Sequence, residues 1–360
     1  MKMFLNIVVT LFILFWPIVI MMSPMMFDAP GSEDSKSAVF GAVVFLSYPV
    51  GLFLLLGLFG VKYFGMNSFI LALVSAVIIF FVFSVFGYSS MVVNLAKGIS
   101  NGGYSVVGET VYYNAKPIVG ADAGTFKAYK KEDYEYERTA PQYAADKDHF
   151  YYSGKRVEGV SLSNLEGRVI AYELYWLNDT QVVQGDKILE AANPLTFNGY
   201  DGFSGWTYSK AREGDTVYSY NVPLQSVDFA SFKPLSDGLG KDKNQIFKRD
   251  KVILSAADPE TFELLSSQEF ARDKDHVYYM LTENPFAIDG ADPETFAELG
   301  RNYLKDKNNI YYVEMYESVN RLEDADVNSF QVTAYDEKTE SEAKDNKHYY
   351  FHGKILDYKK

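Results

Sequence analysis

Apolar residues run almost unbroken through the first 93 positions, and beyond about position 111 they come in short bursts between polar turns. The first pattern holds three apolar stretches, at 4–22, 38–63 and 68–88. At 1.5 Å per helical residue, each is long enough to cross a hydrocarbon core of about 30 Å. The second pattern sets β-branched and aromatic residues between Asp, Asn, Lys and Gly, which predicts short strands joined by tight turns. The expected fold is therefore membrane-anchored α + β: three N-terminal transmembrane helices over 1–93, then a β-rich domain.

The first stretch exceeds the 7–15 apolar residues of a secretory signal, and Met21-Met22-Ser23-Pro24 is a poor cleavage site, so it reads as a signal anchor. Pro17 and Pro49 lie within the first two stretches, where a membrane helix accommodates a local kink. Apart from Lys62, at the turn that ends the second, no stretch carries an ionisable group of the kind that transport or proton relay needs. That favours anchorage, with a helix oligomer capped by the C-terminal domain as an alternative. Lys2 and Lys62 flank one side, and Asp28, Glu33 and Asp34 the other, which predicts the N-terminus inside and the C-terminal domain outside the cytoplasm. Glycines 98, 102, 103 and 108 among Ser and Asn predict a juxtamembrane linker over 94–110.

Residues 111–360 are organised by repetition. One element reads Asp146-Lys147-Asp148-His149-Phe150-Tyr151-Tyr152, and returns at Asp273, Lys274, Tyr278 and Tyr279 and at Asp306, Lys307, Tyr311 and Tyr312. A second reads Ala257-Asp258-Pro259-Glu260-Thr261-Phe262 and returns as Asp292, Pro293 and Phe296. The closing Phe recurs at 126, 197, 232, 262, 296 and 330, with Leu165 marking a degraded copy, which gives about seven repeats of roughly 33 residues. Asp-Lys-Asp/Asn predicts a turn between two strands, because Asp and Asn bond their own backbone. Asp258 and Asp292 have N-cap character and Pro259 and Pro293 suit the first helical position, so a single helical turn is expected, plugged by Phe262 or Phe296. Adjacent tyrosines on a strand face opposite ways, so each pair is expected to stack between repeats. Such repeats must stack to bury their aromatic faces, and drifting repeat lengths favour an open array over a closed ring.

The Asp-Lys-Asp/Asn-x-x-Tyr-Tyr copies at 146–152, 273–279, 306–312 and, loosely, 345–350 resemble the DKNYY family of bacterial envelope-associated proteins. The likeness spans about 143–360 and, more weakly, 111–126. It departs at Asp215-Thr216-Val217-Tyr218-Ser219 and at Asp242 to Phe247, where the Tyr pair is lost. The resemblance implies a bacterial origin, a place in the cell envelope and a repeat identity, and brings no mechanism with it.

Charge and candidate chemistry add limits. Residues 1–93 carry three acidic and three basic groups, so the net charge of −13 belongs to the remainder, and an acidic domain has no electrostatic pull on nucleic acid. Without cysteine, disulfides and thiol chemistry are excluded. The Asp-x-Asp/Asn turns resemble the opening of a calcium loop, but Phe150, Ile246, Val277 or Ile310 stands where an oxygen ligand belongs. His149, His276, His348 and His352 fall in separate copies or in strand context, which suits turn residues better than zinc ligands. Carboxylate pairs such as Asp122 with Asp146 are the remaining hydrolase-like feature. No catalytic, metal-binding or cofactor-binding residue is expected, and the named motif residues are read as structural. The domain is expected to serve non-catalytic recognition or scaffolding, with the bilayer and an envelope protein or glycan as partners. A hydrolase-like enzyme in the divergent copies at 158–240 is the other alternative.

Overall fold

The computed structural model describes residues 2–29, 31–129, 142–210 and 214–356. The chain divides into two compact parts, one comprising 1–169 with 174–188 and the other 170–173 with 189–360.

The first part begins with α1 (Lys2–Met22), α2 (Lys36–Leu46), α3 (Tyr48–Leu58), α4 (Ser68–Phe86) and α5 (Tyr88–Lys97). Ser35 caps α2 by accepting from Ala38 N at 3.3 Å, and Asn67 caps α4 by accepting from Phe69 N at 2.9 Å. Ile20, Leu46, Ile79, Phe83 and Tyr88 pack α1, α2, α4 and α5 together, while most other large apolar side chains on these helices point outward. Gly57 lets α4 come close, since a Cβ there would meet the Phe69 ring at 2.9 Å. Helices α1 and α4 are each long and apolar enough to cross a membrane.

The second apolar stretch differs from the expected single kinked helix. It breaks into α2 and α3, bent by 55° at Ser47. Pro49 lacks an N–H and its ring crowds the carbonyl four residues back, and the Ser47 hydroxyl donates to Val43 O at 2.7 Å, so the ladder cannot run through. Of the segment 94–110, α5 takes the residues up to Lys97 and the first strand begins at Tyr104. The intervening chain is tied down: Asp34 accepts from Asn101 N at 2.5 Å, from Gly102 N at 3.3 Å and from the Ser100 hydroxyl, and Asn101 Nδ2 donates to Glu33 O at 3.0 Å.

Beyond this point the described residues form eight antiparallel sheets, one of three strands and seven of four. We number them in chain order: sheet 1 at 104–117, sheet 2 at 127–157, sheet 3 at 166–188, sheet 4 at 198–223, sheet 5 at 233–253, sheet 6 at 263–287, sheet 7 at 297–321 and sheet 8 at 331–355. Within every sheet the strands lie in chain order. Phe126, Leu165, Phe197, Phe232, Phe262, Phe296 and Phe330 each stand immediately before the first strand of a four-stranded sheet, so the spacing marks the sheets themselves. Sheet 6 is representative, with strands Glu263–Leu264, Phe270–Arg272, Val277–Tyr279 and Phe286–Ala287. Its Phe270 pairs with Tyr279 and Ala271 with Tyr278.

The alternation of side chains decides the packing. Ala271 and Tyr278 face sheet 5 in one core, and Phe270, Val277 and Tyr279 face sheet 7 in the next. Tyr303, Ile310 and Tyr312 continue the series toward sheet 8. In the first part, Tyr143, Phe150, Trp176 and Val183 join sheets 2 and 3 in the same manner. Both members of the Tyr pairs in sheets 2, 6 and 7 are thus drawn into packing, which leaves little of them as an exposed aromatic strip.

Candidate functional site

The two sequence elements are halves of one polar clasp. Asp273 closes the hairpin turn by accepting at Oδ1 from Asp275 N (2.8 Å) and His276 N (2.7 Å). Its Oδ2 accepts from Asp258 N (2.8 Å) and from the Tyr278 hydroxyl (2.7 Å). Asp258 in turn accepts from Glu260 N and the Thr261 hydroxyl and pairs with Lys274 at 3.0 Å, while Thr261 Oγ1 accepts from Lys274 N. The same circuit recurs. Asp306 takes Asp292 N, Asn308 N, Asn309 N and the Tyr311 hydroxyl at 2.7–2.9 Å, with Lys307 on Asp292 at 2.7 Å. Asp146 does so with Asp122, Asp148, His149 and Tyr151, and Asp345 with Asp326, Lys347, His348 and Tyr350.

The electrostatics follow from these bonds. Burial by itself would raise the carboxyl of Asp146, but four donors outweigh it and bring the group down to about 2, as they do for Asp345. Asp273 and Asp306 are held below the ordinary carboxylate range by the same balance. Burial, and then the bonded carboxylate, push Tyr151, Tyr278, Tyr311 and Tyr350 upward.

The geometry answers the candidate chemistry residue by residue. Each clasp aspartate turns both oxygens toward N–H and O–H donors, an arrangement opposite to that of a calcium ligand. Asp122 and Asp146 are neighbours, joined through a backbone N–H, and both are shifted toward the ionised form, whereas a general acid needs a raised value. Lys147, Lys274 and Lys307 reach the capping aspartates; Phe262 and Phe296 are buried plugs. The carbonyls of Pro259 and Pro293 accept from Lys241 Nζ at 2.8 Å and Arg272 Nη1 at 2.9 Å of the preceding sheet. His149, His276 and His348 each sit in their own turn, beside its aspartate.

Two contributors escaped the sequence reading. The hydroxyl three residues after the capping Asp (Thr125, Ser231, Thr261, Thr295, Ser329) ties the two halves together, and the Thr of Asp-Pro-Glu-Thr-Phe was its visible signal. The base preceding the turn (Lys241, Arg272, Lys305) reaches carbonyls just ahead of the following sheet, and its signal was the Lys or Arg directly before Asp242, Asp273 and Asp306.

Divergent copies keep parts of the clasp. In sheet 3, Asn178 replaces Asp, still accepting from Thr180 N and Gln181 N while donating to Ser161 O at 2.7 Å. In sheet 4, Ser209 Oγ accepts from Asn193 N at 2.7 Å. In sheet 5, Asp242 keeps its three backbone donors and Phe247 stands where Tyr bonds elsewhere.

No curated protein and no solved structure matches the chain. The family model of the DKNYY family matches residues 104–282, from the first strand of sheet 1 into the last turn of sheet 6. The clasp aspartates and paired tyrosines of sheets 2 and 6 lie inside that match, which agrees with the family resemblance of the repeats.

Proposed function

We propose that this is a membrane-anchored repeat protein of the bacterial cell envelope, whose stacked sheets lie outside the cytoplasm and serve non-catalytic recognition or scaffolding. The observation that carries this reading is the fate of the signature polar groups. Asp, Lys, Thr and Tyr of the repeated motif are satisfied by one another, which suits a scaffold whose specificity comes from the surfaces it displays.

The anchor reading draws on parity. The bonds from Asp34 to Ser100, Asn101 and Gly102 hold the α1–α2 loop against the start of sheet 1, so in a bilayer the two would share a side. An even number of crossings must then separate them, so if α4 crosses, the bent pair α2–α3 crosses as well. Three spans with Lys2 and Lys62 inside fit that count.

A reporter enzyme active only outside the cytoplasm, fused after Lys360 in the full chain expressed in a bacterium, is expected to be active. Activity of a cytoplasm-only reporter at the same position would sink the proposal. A second reading, a helix oligomer capped by the sheets, draws on an apolar groove of about 260 Å³ lined by Ile13, Trp16, Phe53, Leu71 and Ile78.

A further inference from the structure

Sheets 1, 2, 6 and 7 share a device that fills the space before the next sheet. Cross-strand aromatic pairs Tyr104/Tyr113, Tyr143/Tyr152, Phe270/Tyr279 and Tyr303/Tyr312 stand with ring centroids 4.7, 4.9, 5.4 and 4.9 Å apart. One hydroxyl of each pair accepts an N–H from a turn of the next sheet: Tyr104 from Gly154, Tyr143 from Gly185, Tyr279 from Tyr316 and Tyr303 from Gly353. Sheet 5 breaks this pattern. The cross-strand pair in the same register is Leu239 with Lys248. Lys248 Nζ still reaches the next turn, donating to Met280 O at 2.9 Å and Thr282 O at 2.6 Å, but the ring volume is missing. A cavity of about 220 Å³ remains between sheets 5 and 6, with Leu239, Leu264 and Met280 contributing apolar surface.

The polar lining converges on that space from three consecutive sheets. Tyr220 holds its hydroxyl on Asp237 O at 3.0 Å, and its ring covers Gly205, where a Cβ would meet it at 2.6 Å. Tyr220 and Arg249 each open the two-residue turn that joins the last two strands of their sheets, with the left-handed backbone (φ 45° and 54°) that Ser153 and His352 adopt at the same place in sheets 2 and 8. The Arg249 guanidinium lies 5.9 Å from the Tyr220 ring and forms no ion pair among the described residues. Asp237 accepts from Ser204 N at Oδ1 (2.9 Å), and the exposed side chains of Asp237 and Gln268 line the cavity.

We propose that this cavity binds one saccharide ring that carries a carboxylate. The apolar floor of Leu239, Leu264 and Met280 receives a sugar's C–H face, the Asp237 carboxylate and the Gln268 amide match hydroxyls, and Arg249 matches the carboxylate. A neutral ring leaves Arg249 unanswered, and an aromatic acid without hydroxyls leaves Asp237 unanswered. The proposal deepens the recognition reading and rests on it.

The test is a titration of the full chain, in a detergent without a sugar headgroup, with glucuronate, glucose and benzoate. Binding is read by saturation-transfer NMR and by Trp206 fluorescence, whose indole N–H bonds Ser236 O at 2.8 Å beside the cavity. Glucuronate is expected to saturate, with glucose and benzoate at least about tenfold weaker. Arg249→Gln, on an exposed turn, should lower glucuronate to the level of glucose. Leu239→Tyr with Lys248→Tyr restores the aromatic pair and should abolish binding with the circular dichroism spectrum retained. Absence of glucuronate binding at about 10 mM, equal binding of benzoate, or an unaffected Arg249→Gln protein would overturn the proposal. A failed titration leaves the reporter result standing, and a cytoplasmic reporter leaves the titration standing, so the two readings fail separately.

Discussion

A single buried carboxylate such as Asp306 answers two turn amides, the amide of Asp292 and a tyrosine hydroxyl. Hydrogen bonds to an ionised acceptor are among the strong ones, and a buried donor left without a partner costs more than the bond contributed. Asp306→Ala should therefore loosen the clasp by about 3 kcal/mol, roughly a hundredfold in local opening. Hydrogen exchange at Asp292, Asn308 and Asn309 would report it; unchanged protection at these amides would refute the role given to the carboxylate. The same bonds set a pH window. Asp146 and Asp345 titrate near 2 in the folded chain and near 3.9 when unfolded. A lowered folded value means that their stabilisation is fully present above about pH 4 and is lost as pH falls toward 2. Unfolding midpoints measured from pH 6 to pH 2 should fall below about pH 4, and Asp146→Asn with Asp345→Asn should flatten the decline. A midpoint independent of pH in that range would be the contrary result.

At the level of elements, legibility tracked the range of the interaction. The Asp-Lys-Asp turn and the Asp-Pro-Glu-Thr-Phe turn are local, so residue types alone announced them. That the two would meet, with Thr295 Oγ1 accepting from Lys307 N, depends on a fold-back that no local pattern encodes. The opening strand of each sheet was also hidden: Glu263–Leu264 is two residues long and only partly covered, too short for alternation to register. Pro49 was visible as a kink, whereas the full break also needed the Ser47 hydroxyl bonded to Val43 O. Pro49→Ala restores an N–H and removes the ring clash, and should reduce the 55° bend between α2 and α3. Distances between spin labels placed on the two helices should lengthen; the same distances in both proteins would assign the break to another cause.

For the molecule as a whole, periodic phenylalanines revealed that the sheets repeat, because a plug is needed once per sheet. The cavity could be traced only to the lost tyrosine pair at Asp242 to Lys248, since the missing volume belongs to stacking and not to any one residue. The tie between Asp34 and the 100–102 segment was unreadable for a related reason. A glycine-rich run announces freedom of the backbone and says nothing of a distant carboxylate that removes it.

The clasp has a kinetic meaning as well. Its two halves lie 15 residues apart at Asp258 and Asp273, 14 at Asp292 and Asp306, and 19 at Asp326 and Asp345. Closing so short a loop is fast and costs little chain entropy, and every sheet pairs only strands that follow one another. Each sheet can therefore form from its own short stretch of chain, its clasp closing before the next sheet is complete.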